Sequence, residues 1–401
     1  MDTPSAEIIS AEWLTDPEIR SVVAALETGG ATARFVGGCV RNAFLAAGAT
    51  DVDIAVDVAP EETTRLLEAA GIKAVPTGID HGTITAVASH HGYEITSLRR
   101  DVETDGRRAV VAFTKDWSED AMRRDFTMNA LYADIDGRVY DPLGEGLSDL
   151  KARRVRFIGR AEDRIREDYL RILRFFRFTA WYGEAGIEDA DLASITRLKD
   201  GVAKLARERI GHEVRKLLTA PSSAHATERM AAAGVLAIVL PGASVEGLER
   251  LEGVEAAIDE APSWIRRLQA LGGGGADVVG EALRLSKAEV AELNALARAT
   301  TMSPGEAGYR LGARASRDAL ILSAAARGLS GAEARNALPS EFAQAERGAA
   351  AEFPLSAKDL IADGLSPGPG LGAALKRAEQ HWIGDNFALD RDQLLRHLRE
   401  D

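Results

Sequence analysis

A glycine pair followed by two aspartates constrains this chain more than any other feature. The segment Val36-Gly37-Gly38-Cys39-Val40-Arg41 precedes Asp51-Val52-Asp53, with twelve residues between the second glycine and Asp51. Side chains alternate along a strand, so the carboxylates of Asp51 and Asp53 are expected to point the same way. Two such carboxylates repel unless a cation lies between them, and Mg²⁺ prefers oxygen ligands together with nucleotide phosphates. The pattern therefore predicts a Mg²⁺ site held by Asp51 and Asp53 on a strand.

The residues before the aspartates favour a phosphate-binding role. Gly37 and Gly38 carry no side chains, which lets backbone amides approach a triphosphate closely. Residues 40–47 are expected to form a short helix, with Arg41 in its first turn and placed for a phosphate oxygen. Taken together, the glycines, Arg41 and the two aspartates are a pattern suited to nucleotidyl transfer.

Composition limits the classes of protein that remain. A chain of 401 residues is too long for one core and suggests two to four domains. No apolar run is long enough to span a bilayer, and the acidic first residues do not resemble a signal peptide, so we expect a cytoplasmic protein without a membrane partner. The single cysteine, Cys39, rules out an internal disulfide, and the histidines lack the spacing of a zinc site.

Charge is distributed unevenly along the chain. The net charge is −13, which argues against indiscriminate binding of nucleic acid, and DNA is not an expected partner. Residues 151–178 nevertheless contain ten Lys and Arg against four Asp and Glu. Such a local basic stripe on an acidic protein predicts a bounded anion site.

The hydrophobic patterns change near residue 140. Before it, helices are predicted at 7–28, 40–47, 60–70 and 118–130, and short β-rich runs are predicted at 34–36, 52–58, 73–77, 82–88, 93–98, 109–113 and 131–135. The alternating charges of residues 99–108 suggest a mobile loop, and residues 141–148 suggest a hinge. Beyond the hinge only helical periodicity is visible. The fold class predicted is an α+β head followed by an all-α remainder.

Two further residues in the head are candidates for the same site. Glu94 lies in a strand-like run, and it would complete the site if that strand neighbours the strand of Asp53. A third carboxylate there would help lower the pKa of a nucleophile. Arg124, in the segment Arg123-Arg124-Asp125-Phe126-Thr127-Met128-Asn129, is a second candidate for a phosphate contact.

A second informative segment lies in the basic stripe. Asp168, Arg171, Arg174 and Arg177 recur every three residues, near one face of a predicted helix. Asp168 and Arg171 would together present an acceptor beside donors to the Watson–Crick edge of a base. Cytosine and adenine have an amino group next to a ring nitrogen acceptor, whereas uracil and guanine have a carbonyl at that place. The pair therefore suits CTP and ATP; the alternative is a salt-bridged helix face.

The combination resembles the class II tRNA nucleotidyltransferases, which are CCA-adding enzymes of the polymerase-β superfamily, and the related bacterial poly(A) polymerases. The resemblance spans roughly residues 33–217 and rests on five segments, which are 37–53, 124–130, 141–144, 167–174 and 207–210. One departure is Asn42, where the family usually has Asp after Arg. The loss of a charge there is expected to weaken any clamp on Arg41 without removing a metal ligand.

The resemblance implies a domain order and a set of roles. The domains would be a nucleotidyltransferase head (1–140), a helical neck with the nucleotide-selecting helix (141–216), a helical body (217–345) and a helical tail (346–401). The enzyme would add C, C and A to the 3′ end of tRNA from CTP and ATP without a nucleic-acid template. Asp51 and Asp53 would bind two Mg²⁺, and Glu94 would assist attack by the 3′-hydroxyl.

The remaining site residues receive their roles from the same resemblance. Gly38, Arg41 and Arg124 would hold the triphosphate, and Asp168 and Arg171 would select the base. Arg174 and Arg177 would support the base site.

Other functions stay open at this point. A bacterial poly(A) polymerase, or an enzyme that adds only CC or only A, would share the same head. A non-catalytic RNA-binding module is disfavoured by the intact Asp51 and Asp53. Residues 368–372 favour a tight turn over the start of a phosphate-binding helix.

Overall fold

The computed structural model describes residues 3–48, 51–89, 91–105, 108–184, 186 and 188–400. It divides into two compact units: unit 1 contains Met1–Leu205 with Ala233–Val235, and unit 2 contains Ala206–Ala232 with Leu236–Asp401. Among the described residues, every strand lies in unit 1, and unit 2 is helical apart from one isolated β-bridge between Ala243 and Gly272. The α+β head followed by helices is thus confirmed. The finer division into head, neck, body and tail stays a prediction.

A seven-stranded mixed sheet forms the centre of unit 1. Its order is β3-β4-β5-β2-β1-β8-β9, in which β2 and β5 run parallel and the other neighbours run antiparallel. The strands are β1 (Ala33–Val36), β2 (Asp53–Val56), β3 (Lys73–Gly78), β4 (Thr83–Ala88), β5 (His91–Ser97), β8 (Tyr132–Ala133) and β9 (Val139–Tyr140). Ile54, Val56 and Ile95 are fully buried in the central strands. Their apolar side chains explain why β2 and β5 occupy the middle of the sheet.

Eight helices accompany this sheet in the described part of unit 1. They are α1 (Pro17–Thr28), α2 (Gly38–Phe44), α3 (Pro60–Ala69), α4 (Trp117–Met122), α5 (Gly146–Lys151), α6 (Ala161–Glu167), α7 (Leu170–Tyr182) and α8 (Asp189–Leu198). Short 3₁₀ turns lie at Glu12–Leu14, Ile79–His81, Thr127–Asn129 and Lys199–Lys204.

Two predicted helices are shorter in the structure. The helix predicted at 7–28 begins only at Pro17, because Asp16 accepts hydrogen bonds from the amides of Glu18 and Ile19 and so caps the first turn. The helix predicted at 118–130 ends at Met122, because the extended backbone of Phe126 separates it from the following 3₁₀ turn. In both cases a local feature, an N-cap or an extended residue, sets the helix boundary, although the apolar periodicity of the sequence continues beyond it.

The segment 99–108 was predicted as a mobile loop; residues 106 and 107 lie outside the described residues, and the others form paired strands instead. β6 (Arg99–Asp105) pairs antiparallel with β7 (Arg108–Phe113) as a separate two-stranded sheet, and the register shifts between Asp101 and Glu103. A two-stranded ribbon need not bury one face, so its sequence can lack the apolar alternation on which strand prediction depends.

The basic stripe is also interrupted. Asp168 lies between α6 and α7 with an extended backbone (φ −153°), and its carboxylate accepts a hydrogen bond from the amide of Leu170 at 3.0 Å. Asp168 therefore precedes the helix that carries Arg171, Arg174 and Arg177, and the continuous stripe predicted for all four residues is wrong. The reason is local, since an aspartate can satisfy the free amides at a helix start.

Unit 2 contains thirteen helices among its described residues. They are α9 (Arg207–Leu218), α10 (Ser223–Ala232), α11 (Leu236–Val239), α12 (Glu246–Ala257), α13 (Trp264–Leu271), α14 (Ala276–Leu283), α15 (Lys287–Ala299), α16 (Pro304–Leu311), α17 (Ala313–Ala326), α18 (Gly331–Ala350), α19 (Ala357–Ala362), α20 (Pro369–Gly384) and α21 (Arg391–Glu400). None of the described helices is long and apolar enough to cross a membrane.

Small residues allow close packing within unit 2. A Cβ atom on Gly308 of α16 would lie 2.0 Å from the carbonyl oxygen of Ala345 in α18, so only glycine fits this crossing. Residues 368–372 do not form the favoured isolated turn: Gly368 precedes the first residue of α20, and Pro369 occupies its first turn.

Candidate active site

Strand pairing places two of the predicted carboxylates side by side. Asp53 is the first residue of β2 and lies directly opposite Glu94 of the parallel strand β5. Register partners on neighbouring strands project from the same face of a sheet. The expectation that the strand of Glu94 neighbours that of Asp53 is confirmed, although the chemical role of Glu94 stays a prediction. Asp51 lies two residues before β2, outside the strand.

Electrostatics at this end of the sheet are unfavourable for the carboxylates alone. Burial raises the pKa of Asp53, the charges of Glu94 and Asp51 raise it further, and Arg124 opposes the rise. A cation between the carboxylates would relieve this repulsion, so the donor chemistry fits a hard divalent ion whose other ligands are phosphate oxygens or water. Within the described ranges no group of three or more Asp, Glu, His or Cys side chains is arranged to hold a metal by itself.

Gly37 brings the backbone close to Arg124. Its backbone conformation (φ 74°, ψ −118°) is one that residues with a side chain rarely adopt. A Cβ atom at Gly37 would lie 3.6 Å from Nη1 of Arg124 and 3.7 Å from the carbonyl oxygen of Asn129. Any side chain at position 37 would thus occupy the space beside the arginine.

A buried aspartate that the sequence analysis missed holds Arg124 in place. Asp120 is 1% exposed and accepts hydrogen bonds from Nε of Arg123 (2.7 Å), Nη2 of Arg124 (3.0 Å) and the hydroxyl of Tyr132 (2.7 Å). Burial opposes ionisation, but Arg124 and Arg123 outweigh it and lower the pKa of Asp120 to about 2. The spacing of Asp120 three and four residues before two arginines on a predicted helix was the signal that could have found it.

Arg41 is buried and forms hydrogen bonds with polar side chains of unit 1. It is 6% exposed; Nη1 donates to Oδ1 of Asn129 at 2.5 Å, and Nη2 donates to the hydroxyl of Tyr182 at 2.8 Å. Its guanidinium also lies 4.1 Å from the centre of the Tyr182 ring. The phosphate contact predicted for Arg41 stays a prediction, while the observed contacts join α2 to the end of α7.

The same hydrogen bonds reach the arginines of α7. Asn129 donates to Asp125 at 3.0 Å, and Nε of Arg174 donates to the other carboxylate oxygen of Asp125 at 2.7 Å. Arg174 therefore supports the polar segment of residues 124–130 from α7. The guanidinium of Arg177 lies over the ring of Phe178, 4.5 Å from its centre.

Arg171 contacts the head through backbone carbonyls. It forms an ion pair with Glu167, and its guanidinium donates to the carbonyl oxygens of Arg164 (2.9 Å) and Arg123 (3.1 Å). Arg171 lies in the first turn of α7, and Asp168 lies just before that helix. The structure thus brings Arg171 into contact with the residue that precedes Arg124, the predicted phosphate contact.

Three features together define a nucleotidyltransferase head: the mixed sheet, the carboxylates at the start of β2, and the arginines held by hydrogen bonds near them. Residues 33–156 match the family described as "Poly A polymerase head domain", and residues 186–246 match "Probable RNA and SrmB- binding site of polymerase A".

Relatives along the whole chain narrow the class. The chain is 34% identical to "CCA tRNA nucleotidyltransferase 1, mitochondrial" of Mus musculus over 92% of this chain and 86% of that protein. It is 31% identical to a "CCA-adding enzyme" of Limosilactobacillus fermentum over 95% of this chain and 96% of that protein. The crystal structure of the Bacillus stearothermophilus CCA-adding enzyme in complex with CTP covers 98% of both chains, with 27% identity and a TM-score of 0.73. The chain belongs to the CCA tRNA nucleotidyltransferase family and is an enzyme of that family.

Proposed function

We propose that this protein adds C, C and A to the 3′ end of tRNA, using CTP and ATP and no nucleic-acid template. The observation that carries the proposal is the pairing of Asp53 with Glu94 on neighbouring strands. Arg124 is close enough for its charge to oppose the rise in the pKa of Asp53. Relatives named for CCA addition that match nearly the whole chain support the choice of product.

The reaction would join the 3′-oxygen of the RNA to the α-phosphorus of the nucleotide and break the bond from that phosphorus to the bridging oxygen, so that diphosphate leaves. Asp51 and Asp53 would hold two Mg²⁺, which when bound neutralise the triphosphate and favour ionisation of the 3′-hydroxyl. Glu94 would add negative charge beside Asp53 and so strengthen the hold on the cations. Arg124, oriented by Asp120, would contact the phosphates beside Gly37 and Gly38.

Base selection would depend on the start of α7. Asp168 would accept from the amino group of cytosine or adenine, and Arg171 would donate to the adjacent ring nitrogen. The donors of Arg171 contact Glu167 and two backbone carbonyls in this structure, so a nucleotide would have to exchange for some of these bonds. Arg174 and Arg177 would maintain the shape of this end of the site.

The decisive experiment incubates the purified protein with tRNA that lacks its last three nucleotides, together with each labelled nucleotide alone and in combination. We expect two additions with CTP alone, three with CTP and ATP, and none with UTP or GTP. Products that stop after two nucleotides, or addition only to tRNA ending in CC, would indicate a partial enzyme. No incorporation from an intact, folded preparation would favour a non-catalytic module.

The second candidate is poly(A) polymerase, which the match to the poly(A) polymerase head favours. Long A tails on an unrelated RNA with ATP alone would establish it and reject CCA addition. A cytosolic location, predicted from the sequence, stays a prediction.

A further inference from the structure

Asn42, the residue that departs from the family pattern, contacts Arg41 and Tyr182 through its side-chain oxygen. Its Oδ1 accepts hydrogen bonds from Nε of Arg41 at 3.1 Å and from Nη2 of Arg41 at 2.8 Å. The hydroxyl of Tyr182 donates to the same oxygen at 3.3 Å. An aspartate could accept all of these bonds, so they do not explain an amide at this position.

The amide nitrogen of Asn42 explains it. Nδ2 donates to the carbonyl oxygen of Gly48 at 3.0 Å, and the backbone oxygen of Asn42 accepts from the amide of Ala47 at 2.9 Å. Between them Ala46 has a positive φ of 49°, a left-handed conformation that is unusual for a residue with a side chain. The chain after α2 is thus held by two bonds to one residue. An aspartate would keep the bond to the backbone oxygen and lose the bond to Gly48, because a carboxylate only accepts.

This connection leads directly to the proposed metal ligands. Gly48 precedes Asp51 by three positions, and three residues of extended chain span at most about 10 Å. Fixing the carbonyl of Gly48 therefore limits where the carboxylate of Asp51 can lie relative to Asp53.

Asn42 is itself firmly anchored. Arg41 connects it to Asn129, and Asn129 connects through Asp125 to Arg174 of α7. The bond from Nδ2 to the carbonyl oxygen of Gly48 thus links the residues that follow α2 to a buried polar network.

We propose that Asn42 is a positioning residue that holds residues 45–48, which follow α2, and thereby restricts Asp51 to the arrangement that binds Mg²⁺ with the nucleotide. The proposal rests on the proposed function of Asp51 as a metal ligand. It explains why this chain has an amide after Arg41. The side-chain oxygen accepts hydrogen bonds from Arg41, and the side-chain nitrogen donates to the carbonyl oxygen of Gly48.

The test compares Asn42→Asp and Asn42→Ala with the wild-type protein. The first variant keeps the acceptor for Arg41 and removes only the donor to Gly48, and the second removes both. Asn294→Asp, an exposed residue of unit 2, is the matched control for the change of charge. Two quantities are measured: amide hydrogen exchange of residues 43–48 in the nucleotide-free protein, and the Mg²⁺ concentration that gives half-maximal CTP incorporation.

We expect exchange of residues 43–48 to rise about tenfold in Asn42→Asp, the effect of one lost hydrogen bond, with the global unfolding temperature unchanged. Half-maximal Mg²⁺ should rise several-fold, while the maximal rate at saturating Mg²⁺ changes little. Asn42→Ala should show the same increase in exchange and also a lower unfolding temperature, and Asn294→Asp should match the wild type in all measurements.

Unchanged amide hydrogen exchange in Asn42→Asp would show that the bond from Asn42 to Gly48 does not hold this segment, even if the wild-type protein adds CCA. Faster exchange without a change in the Mg²⁺ requirement would overturn the positioning role. A wild-type protein that incorporates no nucleotide would reject the proposed function, and with it the positioning of a metal ligand, whatever the exchange experiment shows.

Discussion

Charged side chains are arranged in opposite ways in the two units of this protein. In unit 1, Asp51, Asp53 and Glu94 approach one another, and the pKa of Asp53 is raised by burial and by the other two carboxylates. In unit 2, Arg266 and Arg267 are almost completely buried, yet both form ion pairs with Glu255 at 2.7 Å. In unit 1 the carboxylates repel one another, whereas in unit 2 the buried arginines are paired with a carboxylate.

The unit 2 cluster is also complete in its hydrogen bonds. Arg267 donates to the carbonyl oxygens of Leu218 (2.9 Å) and Ala220 (2.6 Å), and Arg266 also pairs with Asp318. Buried charges survive in a fold when partners compensate for the loss of water. Carboxylates without nearby positive charge are tolerated where a ligand supplies that charge. The carboxylates of unit 1 therefore fit a functional site, and the ion pairs of unit 2 fit a role in stability.

The largest expected effect follows from removing a carboxylate from the unbalanced group. Asp53→Ala should lower nucleotide incorporation about 1,000-fold or more, since it removes a preorganised electrostatic group. Its unfolding temperature should be equal to or above that of the wild type, because a repulsion is lost. Steady-state kinetics and thermal unfolding check both expectations, with the exposed Asp136→Ala as the control. Incorporation near the wild-type rate would remove Asp53 from the metal site.

The opposite result is expected in the matched cluster. Arg266→Ala should lower the free energy of unfolding by about 3–5 kcal/mol, because it leaves Glu255 and Asp318 buried without one of their partners. The control is Arg314→Ala, whose 79% exposed side chain pairs with Glu292 and should contribute less than about 1 kcal/mol. Chemical denaturation measures both variants. Equal losses would show that burial does not distinguish the two ion pairs.

A smaller effect is expected in nucleotide selection. Asp168→Ala should reduce discrimination against UTP and GTP by about 1–3 kcal/mol, since the acceptor that repels a carbonyl is gone. Single-turnover competition between CTP and UTP measures the change. Because Asp168 also caps α7, the unfolding temperature should fall as well, and Asp168→Asn, which keeps a capping oxygen, separates the two roles. An unaltered preference in both variants would indicate that Asp168 serves only the helix.

The smallest expected effect concerns a carboxyl group of unit 1 outside the site. Asp191 is 8% exposed, and burial, followed by the charge of Glu188, raises its pKa to about 6. Since the folded pKa lies above the unfolded value, folding takes up a proton, and stability falls as the pH rises from about 4 to about 6. Asp191→Asn should remove this slope and stabilise the protein at pH 7 by about 1–2 kcal/mol.

The control for this variant is Asp189→Asn, an exposed carboxyl group in the same helix. Its stability should follow the pH profile of the wild type in denaturation at several pH values. A slope retained in Asp191→Asn would assign it to another group.

Local signals in the sequence were sufficient for much of the architecture. The strand carrying Asp53 and the helix at 60–69 follow from their hydrophobic periods, and the arginines of the basic stripe lie on a helix as predicted. Prediction failed where polar residues had two local options. The charged run at 99–105 pairs as a strand, and Asp168 caps a helix rather than continuing one.

The candidate site was predictable in composition but only partly in contacts. Asp51, Asp53 and Arg124 could be chosen from spacing, whereas Asp120 was missed although its distance from Arg124 along a helix was visible. The phosphate contact of Arg41 stays a prediction, but its hydrogen bond to the hydroxyl of Tyr182, 141 positions further along the chain, was not foreseen. No local pattern specifies such a contact.

The sequence by itself determined the change from an α+β part to a helical part, the glycine that permits the turn before α2, and the carboxylates available to a metal. These features depend on backbone preferences and side-chain periods within a few residues. Only the tertiary structure decided that Glu94 lies beside Asp53, that Asp120 orients Arg124, and that Asn42 holds the chain before Asp51. The physical reason is that these contacts depend on which strands pair and on which polar groups lose their water, and both are set by the packing of the whole unit.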